Sequence, residues 1–109
     1  MVTPESGTVV LVPFPFSDLS EAKLRPAVIL AGVDRGDWIL CQVTSNSYGD
    51  RQAVELRADA FASGNLRLTS YARPGKLFTA HSSLFRGQAG RLTADTTKLI
   101  RASVRELFQ

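Results

Sequence analysis

The side chains best placed for chemistry in this chain are arginines and hydroxyls. Arg25 closes a polar loop that carries Pro13, Pro15, Asp18, Ser20 and Lys23, and it stands at the mouth of the apolar run Ala27–Ala31. A guanidinium held there is a fixed cation with several donors in a rigid fork, which suits a phosphate. Its structural alternative is an ion pair with Asp18 or Glu21 inside the same loop. Thr44 and Ser45 end the run Trp38–Val43, where polarity switches abruptly. Short hydroxyls at such a point either close a turn or aim donors at a phosphate oxygen. A hairpin between Ala31 and Trp38 puts Arg25 and Thr44 at one end of the same antiparallel pair. Together these residues point to a nucleic-acid ligand.

Those side chains must be positioned by short strands. Thr8–Val12 and Ala27–Ala31 are fully apolar and rich in Val, Ile and Leu, as strands buried on both faces are. Further strands are expected at Trp38–Thr44, Ala53–Leu56, Ser70–Thr79 (interrupted by Pro74-Gly75) and Leu84–Leu92. Val33–Asp37 reads as a tight hairpin turn with Gly36 at positive φ, and Ser45–Gln52 as a polar loop. Asp59–Ser63 reads as a helical turn stopped by Gly64-Asn65. The terminal segment is the one clear helix, capped by Thr93 or Asp95, with Ile100, Val104, Leu107 and Phe108 on the face that packs on the sheet. Mainly β structure with a single C-terminal helix implies a small barrel flanked by that helix.

Composition limits the function classes. The 109 residues form one domain (1–109), long enough to bury a core without staples. No apolar run approaches the roughly 18 residues of a membrane span, and Met1–Glu5 does not open a secretory signal, so the expected location is cytoplasmic. Cys41 is the sole cysteine and reads as a small core residue. No HExxH, paired-cysteine or clustered-carboxylate pattern supports a metal, and no cofactor is expected. Net charge is +3, and ten of the thirteen cations are arginine, a residue suited to phosphate contact and base stacking as well as a product of codon bias.

One resemblance covers the whole chain. Gly7, Val9–Val12, Pro13-Phe14-Pro15-Phe16, Ser17-Asp18-Leu19 and Arg25-Pro26 are similar to the amino-terminal signature of the MazF/PemK family, the toxin halves of bacterial toxin–antitoxin pairs. The likeness continues through Thr44-Ser45-Asn46 and Ser70–Pro74 into Lys76–Thr79. It implies an SH3-like barrel, a homodimer, a cognate antitoxin and metal-independent cleavage of single-stranded RNA. In that reaction the 2′-hydroxyl attacks the adjacent phosphorus and DNA is refused.

By the resemblance Arg25, Thr44 and Arg73 are catalytic positions. Phe14, Asp18, Lys23, Ser45, Asn46, Tyr48, Lys76, Thr79 and His81 complete the expected RNA-binding set. Phe14, Phe16 and Tyr48 either stack bases, at roughly 1–3 kcal/mol each, or cover the barrel mouth. Two departures stand out. Gly75 occupies the position where some relatives carry an acidic proton acceptor after Arg73. His81 stands where many place an aspartate, which leaves Asp18, Glu21 and His81 as candidate bases. The rival implications are a family member that binds RNA or antitoxin without cutting, and a gyrase inhibitor similar to CcdB. The second is disfavoured because the chain ends Leu107-Phe108-Gln109, without the carboxy-terminal tryptophan of those proteins.

Overall fold

The computed structural model describes residues 5–15 and 22–109. Seven strands follow one another: β1 Thr8–Pro15, β2 Ala22–Gly32, β3 Asp37–Thr44, β4 Val54–Leu56, β5 Phe61–Gly64, β6 Ser70–His81 and β7 Gly87–Leu92. The helix α1, Ala94–Glu106, closes the sequence of elements. All pairings are antiparallel, in the order β4-β6-β3-β2-β1-β7-β5, and the sheet curls into a nearly closed barrel. The expected SH3-like barrel with a C-terminal helix is the observed architecture.

The two apolar runs are buried on both faces, as their composition requires. Val9, Val28, Leu30, Cys41 and Val43 point to a core shared with Leu56, Phe61, Leu92 and Ile100 of α1. Their alternating neighbours Val10, Val12, Ala27, Ile29 and Leu40 point the other way, into a second cluster with Ala80 and Phe85. Thr93 caps α1 by accepting the Thr96 N–H at 3.1 Å, so of the two expected caps the threonine is the one used. The Val33–Asp37 turn holds Gly36 at φ 84°, as expected, and Arg35 at φ 55° beside it. Two consecutive positive φ values match the right-handed twist of the flanking strands.

Several boundaries differ from the sequence reading. Pro13–Pro15 and Ala22–Arg25 are paired strand rather than loop, with Phe14 opposite Lys23 and Val12 opposite Arg25. Prolines suggested a break, yet β1 pairs with β7 only from Thr8 to Leu11. Beyond Leu11 β1 has one neighbour, and a missing N–H on its outer side costs no ladder bond. The helical turn expected at Asp59–Ser63 is a 3-10 turn at Ala58–Ala60 running straight into β5, which pairs with β7. The strand expected at Leu84–Leu92 starts only at Gly87, after a 3-10 turn at Ser82–Leu84. Leu107 and Phe108 lie just past α1 and are 41% and 79% exposed, and the buried residues of the helix are Thr96, Thr97 and Ile100. The break foreseen at Pro74-Gly75 is present as a bulge: Cys41 pairs with Leu77 and its neighbour Gln42 with Arg73, which leaves Pro74, Gly75 and Lys76 looped out.

Candidate RNA-cleavage site

Strand register assembles the site. Ala27 pairs with Gln42, and Gln42 with Arg73, across β2, β3 and β6. The β2–β3 ladder ends at that pair, and its register continued two residues sets Arg25 toward Thr44, which pairs with Tyr71. Directly opposed residues project from the same face with Cβ atoms about 5 Å apart. Arg25, Gln42, Thr44, Tyr71 and Arg73 therefore share one face of three adjacent strands, beyond the end of the apolar cluster around Ile29 and Leu40. The sequence placed Arg25 before its strand; it is the fourth residue of β2, and the paired strand, not a loop, fixes its direction.

Arg73 is firmly held. Its Nε donates to Asp50 Oδ2 at 3.1 Å, and the two side chains are only 19% and 17% exposed. The guanidinium carbon lies 5.1 Å from the centre of the Tyr48 ring, a cation–π contact. Asp50 is fixed in turn: its Oδ1 accepts the Gln52 N–H at 2.9 Å. That bond, followed by the Arg73 hydrogen bond and charge, holds the carboxyl below its ordinary range, against an opposing push from burial. An ionised Asp50 committed to Arg73 is an anchor for the arginine. Under the barrel wall, Cys41 Sγ donates to the Arg73 carbonyl at 3.0 Å. Desolvation pushes this thiol up to about 12, so Cys41 is the inert core residue expected.

The loop after β3 is built by side-chain turns. Thr44 Oγ1 accepts the Asn46 N–H at 3.3 Å, and Asn46 Oδ1 accepts the Tyr48 N–H at 2.8 Å. Thr44 thus closes a turn while keeping its own proton to donate; the two readings of that hydroxyl are compatible. Tyr48 adopts φ 54° and is 66% exposed, which presents its ring outward beside Arg73. Ser45 and Asn46 are exposed in the same loop.

Phe14 and Phe78 meet edge to face at 4.8 Å between ring centres, on the same face of the sheet. Lys76, in the bulge, lines a hollow with both phenylalanines, Gln42 and Leu77. Lys23, opposite Phe14, and Arg25 are exposed on this side and each engages other groups of the chain. Lys23, Arg25, Arg73 and Lys76 make the surface cationic, as a phosphate chain requires.

Not every expected site residue joins them. His81 pairs with Asp37, at the opposite end of the β3–β6 ladder from Thr44 and Tyr71. Seven residues of strand separate the two ends, or about 23 Å. There His81 accepts the Ser83 N–H at 3.0 Å and caps a 3-10 turn, with its ring packed on Gly36. Thr79 pairs with Ile39, one residue out of phase with Phe78, so it projects from the other face. Asp18, and with it Phe16 and Glu21, lies outside the described residues. Three residues escaped the sequence reading: Gln42, Tyr71 and Asp50. Gln42 left a signal, a lone amide in the apolar run Trp38–Val43. Asp50 left none, because it meets Arg73 only through folding, 23 residues away. Among the described residues, no three His, Cys, Asp or Glu side chains stand together as a metal site would need.

The fold has counterparts among solved structures. The chain superposes on a MazE–MazF structure from Deinococcus radiodurans with a TM-score of 0.78 at 20% identity, covering 98% of this chain and 97% of the other. An endoribonuclease in complex with its cognate antitoxin from a mycobacterial species gives 0.76 at 15% identity, with 97% and 95% covered. The Mycobacterium tuberculosis toxin MazF-mt6 gives 0.72 at 17% identity, with 93% and 95% covered. A search of curated proteins gives no significant match. At these identities the superpositions establish the fold. The sequence model of the PemK-like, MazF-like toxins of type II toxin–antitoxin systems matches residues 5–108, and the chain belongs to that family.

Proposed function

We propose that this chain is a metal-independent, sequence-selective endoribonuclease toxin that cuts single-stranded RNA in the cytoplasm, works as a homodimer and is neutralised by a cognate antitoxin protein. The observation that carries the reading is the placement of Arg25, Thr44 and Arg73 on one face of β2, β3 and β6. In the reaction the RNA 2′-hydroxyl attacks the adjacent phosphorus in line, forming the 2′,3′-cyclic phosphate and releasing a 5′-hydroxyl. Arg25 and Arg73 stabilise the charge that builds on the phosphorane oxygens, and the Thr44 hydroxyl donates to one of them. Ser45, Asn46, Tyr48, Lys23 and Lys76 hold the neighbouring nucleotides. Similarity to toxins described as endoribonucleases, some bound to antitoxins, supports both the activity and the partner. The open trough lined by Leu77 and Phe108, with Ile39, Val104 and the buried Leu30 beneath, offers apolar surface for subunit or antitoxin contact.

A second reading is binding without cleavage, and Gly75 favours it: the residue after the bulge proline offers no proton acceptor beside Arg73. One experiment separates the two. Purified protein and its Arg25→Ala variant are incubated with a long single-stranded RNA in excess EDTA. Discrete fragments with 5′-hydroxyl ends from the wild type alone support the endoribonuclease. RNA that is bound but left intact assigns the chain to the non-cutting reading.

A further inference from the structure

Arg73 is fixed at its backbone and at its side chain. Cys41 Sγ donates to its carbonyl at 3.0 Å, and the next residue, Pro74, is fully buried with its φ locked by the ring. The loop after β3 holds the side chain. In that loop the Asp50 N–H donates to the Ser47 carbonyl at 2.9 Å, the Asp50 carbonyl accepts the Ala53 N–H at 3.2 Å, and Oδ1 accepts the Gln52 N–H at 2.9 Å. Tyr48 and Gly49 take φ values of 54° and 70°, left-handed backbone that a bulky residue rarely adopts. These constraints bring two groups to one guanidinium. The Asp50 carboxylate meets Nε at 3.1 Å, and the centre of the Tyr48 ring lies 5.1 Å from the central carbon.

A guanidinium carries five N–H donors in one plane. Asp50 takes the single donor on Nε, so rotation of the plane breaks both that bond and the ring contact. The two terminal nitrogens make no hydrogen bond to any described residue. That end-on pair is the edge that matches two oxygens of one phosphate. We propose that Asp50 is a positioning residue for RNA cleavage: by taking Nε it turns the terminal nitrogens of Arg73 toward the scissile phosphate. The inference rests on the RNA-cutting reading above and deepens it. A carboxylate at a phosphate site otherwise works against the ligand, because it lowers the local positive charge. Asp50 thus weakens the general attraction for RNA while it fixes direction. Donors fixed in direction are the ones that stabilise charge appearing only in the transition state.

The test compares wild type with Asp50→Asn. Asparagine keeps a carbonyl for the Gln52 N–H but sets an NH₂ against the Arg73 Nε–H, a donor facing a donor. Single-turnover cleavage of a long single-stranded RNA in excess EDTA, followed across enzyme concentrations, gives a maximal rate and a half-saturating concentration. The maximal rate should fall about 10- to 100-fold, the loss that follows from misplacing a group by about 1 Å. The half-saturating concentration should fall as well, by about 1.4- to 5-fold, because a negative charge has left the surface. A slower rate without tighter binding marks a residue that only supports the fold, and overturns the positioning role. The second arm repeats the substitution in Arg73→Ala, where Asp50 has no guanidinium left to aim. Arg73→Ala and the double variant should therefore cut at equal rates. A further loss of about 10-fold in the double variant overturns the proposal, and so does an Asp50→Asn maximal rate within about two-fold of wild type. Wild-type protein that leaves the RNA intact overturns the RNA-cutting reading along with it.

Discussion

Replacing Asp50 tests whether Arg73 is held as the structure implies. At 3.1 Å the Arg73–Asp50 pair has a gross Coulomb attraction of about 5 kcal/mol at an effective dielectric of about 20. Desolvation and screening at the rim of the sheet remove most of it, and the contact is a single Nε–H···O bond instead of a bidentate fork. A hydrogen bond to a charged group retains about 1.5–3 kcal/mol, and an exposed pair about 0.2–1. The partly buried pair falls between them, at about 1–2 kcal/mol. Asp50→Asn keeps an acceptor for the Gln52 N–H and removes the charge, so it should cost that amount. Asp50→Ala also loses the turn bond, and should cost about 1 kcal/mol more. Urea unfolding reads both, and Asp50→Asn should lower the midpoint by about 0.5–1 M. The pH dependence has a definite sign. Because the folded carboxyl titrates below its ordinary 3.8, its contribution is complete above that value and is lost as pH falls through the folded pKa. Wild type and Asp50→Asn should differ equally at pH 7 and 5, and the gap should shrink steadily as pH falls below 3.8. Equal midpoints at pH 7, or a gap that persists undiminished in acid, would refute the pairing.

Thr44→Val removes a phosphate donor and the acceptor for the Asn46 N–H; RNA cleavage should fall about 10²-fold while the thermal midpoint drops only slightly, and wild-type rates would remove Thr44 from the chemistry. His81→Gln should leave the pH–rate profile unchanged, since His81 caps a 3-10 turn at the far end of β6; a shifted profile in stopped assays would contradict the geometry. Cys41, buried with its thiol raised to about 12, should react with thiol reagents only as fast as the protein unfolds, which labelling across a urea series measures. A Cβ at Gly75 would meet nothing within 4 Å, whereas one at Gly64, at φ 70°, would lie 2.4 Å from the Ala89 carbonyl oxygen. Gly75→Ala should therefore be neutral or stabilising by up to about 1 kcal/mol, and Gly64→Ala clearly destabilising, by calorimetry.

The sequence by itself determined the barrel's central strands, because runs such as Val9–Val12 and Ala27–Leu30 have no stable place except between two apolar layers. It also determined the Gly36 turn and that Arg25 and Thr44 lie toward one sheet end, since local chemistry and hairpin geometry suffice for these; it left the α1 cap between Thr93 and Asp95, and the fold chose Thr93. Strand ends were not legible. Pro13 and Pro15 carry a loop signal locally, and only the absence of β7 beyond Leu11 makes them acceptable in a strand. Asp50, Tyr71 and Gln42 came beside Thr44 and Arg73 through register and loop closure, which depend on contacts far apart in the chain. The separation of His81 from Thr44 was likewise a tertiary decision: the residue type suits proton transfer, but a ladder of about 23 Å lies between them. Residue types and short spacings specify what chemistry a chain can offer, and the distances across a folded sheet decide which groups can take part in it together.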